Sequence, residues 1–337
     1  MAPLATILGL SGHRLTSDEK AFFADANPWA FILFSRNVDT PDQVASLCDD
    51  LRASVGRDAL IFVDQEGGRV QRLKAPHWRP YPSGSVYARL YETDPAAGRR
   101  AIYLGHRLIA DDLRAVGITA DCAPVLDLPQ PNADPIISDR AIGQDTDQII
   151  DLAHAAMSGL MSGGVAPVIK HIPGHGRATV DSHLALPRID MALDVLERTD
   201  FTPFKRLNLA PMAMTAHAVY TAADEAPVTT SPTALQSLIR ETIGFDGLLM
   251  SDDLDMKALT GNSLEAKTKA ALEAGCDIAL QCSGQLKDMV SVAKGAKALS
   301  GKALERAKIA ENTINYVSDF DRDVAEAEFN RLIEAVS

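Results

Sequence analysis

Basic charge, paired cysteines and long apolar runs are all scarce in this chain. Its 33 lysines and arginines are outnumbered by 45 acidic residues, giving a formal charge of -12. Sequence-independent nucleic-acid binding relies on neutralising phosphates, so this balance argues against it. Cys48, Cys122, Cys276 and Cys282 are scattered, with no CxxC spacing, which excludes a disulfide framework and predicts reduced, buried thiols. No apolar stretch approaches the ~20 residues needed to cross a bilayer, so no membrane role is expected. The opening MAPLATILGLSGHR lacks a basic segment and a small-residue cleavage site. It reads as a first strand over 4–10, and the cytoplasm is the expected compartment. The patterns GxGxxG, GxxxxGK[ST] and HExxH are also missing, which removes the common nucleotide loops and the zinc-protease helix. Linkers, repeats and low-complexity segments are absent, so residues 1–337 are expected to form a single domain.

What is present is an alternation. Apolar runs of strand length begin at Leu4, Ala30, Ala59, Ile118, Val165, Pro211, Gly247 and Cys276. Amphipathic stretches at 41–55, 95–116, 147–162, 193–207, 232–243 and 263–274 separate most of them. The gap between the first two strands is less regular. Strands alternating with helices imply a parallel sheet covered by helices, and the number eight favours a closed (β/α)8 TIM barrel over an open sheet. Thr40-Pro41 and Ser231-Pro232 look like helix starts, and Gly117, Gly244 and Gly275 stand where C-terminal caps belong. The charged C-terminus, from about residue 302, reads as helices packed outside the barrel.

Polar residues collect at one end of these strands. Asp64, Asp127, His171, His217 and Asp252 all fall at carboxyl ends, the face that carries barrel active sites. Asp252 and Asp253 are neighbours in an extended segment, so only one can aim into the barrel mouth, and parity does not choose between them. Asp181 and His183 are two apart and share a side of any extended stretch, where a carboxylate would fix the tautomer of the imidazole and raise its pKa. The segment from 174 to about 190 lacks apolar periodicity, as a functional loop over the mouth would. His171 and His175 are four apart, but Pro173, Gly174 and Gly176 forbid a helix through them, which disfavours a metal site. In VDQEGGRVQRL (63–73), Gly67-Gly68 permits a tight turn that would present Asp64, Arg69 and Arg72 to a polyhydroxylated ligand. Arg140, beside Asp139 in a proline-punctuated loop, is a further candidate for gripping substrate.

Taken together and in this order, VDQEGGRVQR, KHIPGHG followed by DSH, and GFDGLLMSDDLDM resemble glycoside hydrolase family 3. The likeness runs from about Ala30 to Ser283 and is strongest to single-domain β-N-acetylglucosaminidases of bacterial peptidoglycan recycling. The resemblance implies a cytoplasmic hydrolase of N-acetylglucosaminyl-anhydromuropeptides that needs no cofactor and no metal. It implies Asp252 as the nucleophile and Asp181 with His183 as an acid/base dyad. It further implies Asp64, Arg72, Arg140, Lys170 and His171 as the residues that hold the N-acetylglucosamine ring. Two departures stand near those positions. Ile172 replaces a usual phenylalanine, and residues 138–143 read SDRAIG where the family has a GDRSFG-like form.

Overall fold

Segments such as AFIL and LIFV show no polar alternation, which suits strands covered on both faces. In the computed structural model, which describes residues 2–131, 134, 136–182, 184–259 and 263–336, they become the staves of a closed barrel. The strands are β1 (Leu4–Leu8), β2 (Pro28–Leu33), β3 (Leu60–Val63), β4 (Ala120–Asp121), β5 (Ala166–Ile172), β6 (Met212–Thr215), β7 (Leu248–Asp253) and β8 (Ile278–Gln281). They follow one another around the ring, all parallel, and β1 closes on β8 with Thr6, Ile7 and Leu8 opposite Ala279, Leu280 and Gln281. This is the expected (β/α)8 barrel, and its parallel closure gathers every strand's carboxyl end on one face.

Local chemistry accounts for most of the helices. Pro41–Val55 starts with Thr40 accepting from the Gln43 N–H, and Leu264–Ala274 starts with Ser263 accepting from Ala266. The irregular stretch between β1 and β2 contains a helix, Ser17–Ala26, begun by a reciprocal capping box of Thr16 and Glu19. The helix expected over 193–207 is two short ones, Leu193–Arg198 and Thr202–Arg206. Between them buried Asp200 accepts from Arg177 and Thr199, and Pro203 has no N–H to extend a ladder. The strand expected over 118–128 keeps only Ala120–Asp121 in register. Beyond it, Pro124 removes a donor, and the chain instead exchanges irregular bonds with β5, Val168 N–H to Ala123 O and Leu126 N–H to Lys170 O.

The C-terminal helices Gly301–Asn312 and Arg322–Glu334 lie outside the barrel. Glu311 accepts from the Trp29 indole at 2.6 Å, Arg322 pairs with Asp111 and Asp112, and the Phe329 ring is buried beside Tyr81 and Tyr87. Among the described residues no helix is long and apolar enough to cross a membrane.

Candidate active site

Asp64 is the first residue past β3. Beyond it Gln65–Gly67 turns back antiparallel onto Val70–Gln71. The turn needs glycine, since Gly67 and Gly68 have φ of 98° and 57° and a Cβ on Gly67 would lie 2.3 Å from the Pro82 carbonyl. Folded this way, the hairpin returns Arg72 to Asp64, Nη2 to Oδ2 at 2.9 Å. Arg69 is carried away from the cavity to the rim, where it pairs with Asp139 at 2.9 Å.

Lys170, near the end of β5, reaches Asp64 at 3.0 Å and Glu66 at 2.7 Å. Arg140 closes the network by gripping Glu66 with both arms, Nε and Nη2 each at 2.8 Å. A bidentate fork on a buried carboxylate is among the strongest polar contacts a protein makes. Burial would push these acids up, but the cations outweigh it. Lys170 and Arg72 hold Asp64 well below the usual carboxylate range, and Arg140 with Lys170 brings Glu66 to about 2. Burial would likewise discharge Lys170, yet Glu66 and Asp64 keep it protonated.

Asp127 lies past the end of β4 and is fully buried. Its Oδ2 accepts from His171 Nδ1 at 2.6 Å, and its Oδ1 accepts from the backbone N–H groups of His171 and His175 at 3.1 and 2.7 Å. Despite its burial, those contacts with His171 and His175 lower Asp127 to about 2, so it is a carboxylate and His171 must carry the Nδ1 proton. The expected pair of histidines is therefore organised by one carboxylate. The His175 ring is buried with neither nitrogen hydrogen-bonded, and burial pulls its pKa down to about 4. Among the described residues no cluster of His, Cys, Asp and Glu is placed to hold a metal ion.

At the end of β7 the two aspartates accept from different main-chain donors. Asp253 turns its Oδ1 toward main-chain donors, Cys282 N–H at 3.1 Å and Asp255 N–H at 3.2 Å, and burial pushes its carboxyl up to about 7. Asp252 receives the Asp253 N–H on Oδ1 at 2.7 Å. Both aspartates accept main-chain N–H groups and both line the cavity at the barrel mouth, Asp253 being the one that holds the turn to Asp255 and the Cys282 main chain.

Asp64, Arg72, Arg140, Lys170, His171 and Asp252 all line one cavity of about 350 Å³ at the barrel mouth. Its walls add Glu66, Asp253 and Arg36, together with the apolar side chains of Phe34, Val70, Met214 and Met256. Forked cations and carboxylates beside apolar walls suit a ring with hydroxyls at its edge and C–H bonds on its faces. Asp181 is half-buried in the loop after β5, where its carbonyl accepts from the N–H groups of Leu184 and Ala185; it is not among the residues lining the cavity. His183 lies outside the described residues. Glu66 escapes a reading by motif, although it stands two residues after Asp64 in an extended segment and so shares its side. Arg36 has no comparable signal; it is placed by its bonds to the Leu10 and Cys282 carbonyls. At the two departures from family pattern, Ile172, Ala141 and Ile142 are buried and Ser138 is exposed, and none of them lines the cavity.

A family model for the glycosyl hydrolase family 3 N terminal domain matches residues 6–316. The chain belongs to glycosyl hydrolase family 3. A β-hexosaminidase of Alkalilimnicola ehrlichii is 40% identical over 279 residues, 82% of this chain and 80% of its own length. One from Pseudomonas aeruginosa is 35% identical over 305 residues, 90% of this chain and 87% of its own. Native NagZ from Neisseria gonorrhoeae superposes with a TM-score of 0.86 at 30% identity, covering 100% of this chain and 97% of its own. The same enzyme in complex with N-trifluoroacetyl-D-glucosamine gives 0.88 at 29% identity, covering 100% and 99%. Family 3 membership makes the protein a glycoside hydrolase, with its barrel and cavity where such enzymes carry their chemistry.

Proposed function

We propose that this family 3 hydrolase is a retaining exo-β-N-acetylglucosaminidase that removes terminal N-acetylglucosamine from peptidoglycan-derived muropeptides. The observation that carries the proposal is the placement of Asp252, at the end of β7, in the cavity lined by Asp64, Arg72, Arg140, Lys170 and His171. The β-hexosaminidase relatives and the neighbour bound to an N-acylglucosamine support the choice of sugar.

In this mechanism an Asp252 oxygen attacks the anomeric carbon as the bond to the leaving oxygen breaks. His183, as imidazolium, supplies that oxygen with its proton, and Asp181 orients the ring. Water, deprotonated by His183, then displaces the Asp252 carboxylate. Two inversions retain the anomeric configuration. A positioned proton donor contributes roughly 10²–10⁴-fold in rate. Asp64, Arg72, Arg140, Lys170 and His171 hold the terminal ring while this happens. One catalytic unit over residues 1–337 and a cytoplasmic setting belong to the same proposal; four free, buried cysteines suit a reducing compartment.

The test is mass spectrometry after incubation with a fluorinated, slow-turnover N-acetylglucosaminide. A sugar adduct on Asp252 is expected, and an adduct on Asp253, or none, sinks the mechanism. Matched aryl N-acetylglucosaminides and glucosides should be cleaved at rates that favour the former.

A further inference from the structure

His217 follows β6 in the segment MTAH and is fully buried, yet it is not among the residues lining the cavity. Its ring bridges two elements. Nε2 stands 3.0 Å from the Asp253 carbonyl oxygen, and Nδ1 stands 2.8 Å from the Thr229 hydroxyl. A carbonyl only accepts, so Nε2 carries a proton. Burial pulls the ring toward its neutral form, which leaves Nδ1 as an acceptor and makes Thr229 its donor. Thr229 in turn lies 2.8 Å from the Thr215 hydroxyl, whose proton it accepts. Thr229 has a second, longer acceptor in the Ala216 carbonyl at 3.2 Å; with its proton on the neutral His217 ring, the donors run from Thr215 to Thr229 to His217 to the Asp253 carbonyl. At the other end of that same residue, the Asp253 N–H donates to Asp252 Oδ1 at 2.7 Å.

We propose that His217, held as its neutral Nε2–H tautomer, is a positioning residue for Asp252: it clamps the main chain of Asp253, whose N–H aims the Asp252 carboxylate. The proposal rests on Asp252 being the nucleophile. It assigns His217 no contact with substrate. The β7–β8 ladder is irregular here, since its register shifts between Met250 and Asp253 before Asp253 pairs with Leu280. The clamp after β6 adds a second hold on Asp253 at that irregularity. Small misplacement of a reacting atom is enough to slow catalysis about 10²-fold.

The experiment compares His217→Leu, which removes the donor, with His217→Gln, which offers an amide donor in its place. Both are read by the rate at which a fluorinated N-acetylglucosaminide labels Asp252 and by kcat and KM on an aryl N-acetylglucosaminide. His217→Leu should lose about 10²-fold in labelling rate and kcat, with KM within about threefold of wild type. His217→Gln should recover to within about tenfold of wild type. Nitrogen-15 NMR of the wild-type enzyme should show His217 neutral and protonated on Nε2 at neutral pH. Labelling of His217→Leu at the wild-type rate overturns the proposal, as does a loss carried equally by KM. If His217→Leu does not fold, the ring signature and His217→Gln decide: a wild-type Nδ1–H ring or imidazolium, or a His217→Gln variant slowed more than about 10²-fold, overturns it. Wild-type labelling at a residue other than Asp252 is a different failure, that of the nucleophile itself.

Discussion

Glu66 carries the charge balance of the cavity, because Lys170 and Arg140 both rest on it. Glu66→Gln removes the negative charge that Arg140 and Lys170 share, leaving Lys170 with Asp64 alone, and should destabilise the fold by about 3 kcal/mol, seen in urea unfolding. It should also raise KM more than it lowers kcat, since the residues that would hold the sugar lose their anchor. Asp253 gives a prediction of opposite sign in pH. Its carboxyl is raised to about 7 in the folded chain, so the folded state binds its proton more tightly than the unfolded one. That contribution is complete below the unfolded pKa of about 4 and is lost as pH climbs through 7. Asp253→Asn should therefore flatten the fall in Tm between about pH 4 and 7. Glu66, lowered to about 2, acts at the other end, where its stabilisation is lost as pH falls below about 4. These roles were partly legible: Asp64 and Glu66 share a face by spacing, but no spacing shows that one lysine will bridge them.

The decisive element is the loop after β5. It is tied down by Tyr220, whose hydroxyl donates to the Gly174 carbonyl at 2.7 Å, and by Arg177 on buried Asp200 at 2.7 Å. Gly176 lies so close to the segment after β4 that a Cβ there would stand 1.8 Å from the Leu128 carbonyl. Gly176→Ala should push the loop off its seat and lower kcat/KM about 10²-fold, while Tm moves by only a few degrees; kinetics beside thermal unfolding checks this. Its lack of apolar periodicity marks this loop in the sequence. Its seat does not show there, because Leu128 and Asp200 are distant along the chain. Strand β4 is the converse case. Its apolar run predicts a longer strand than the ladder contains, and Pro124 explains the difference.

Across the whole molecule, the C-terminal helices act as a brace. Phe329 packs beside Tyr81 and Tyr87, and Gly105 of the helix Pro95–Ala115 makes room for its ring. Phe329→Ala should cost about 3–5 kcal/mol in urea unfolding with KM unchanged, because the cavity is on the barrel's carboxyl face and the ring is on its flank. The barrel was readable at this scale. Eight apolar runs interleaved with amphipathic stretches leave few ways to bury both faces of each strand, and parallel closure then places Asp64, His171 and Asp252 on one rim.

Periodicity and strand direction, both local properties of the chain, determined the barrel and the end at which its polar residues gather. Only tertiary structure decided how those residues divide the work. Which main-chain donors Asp253 holds, where Arg69 and Arg140 find their acids, and which histidine nitrogen holds a proton all depend on atoms brought within about 3 Å from separate segments. Hydrogen bonds and ion pairs of that reach are set by three-dimensional proximity, and order along the chain does not encode it.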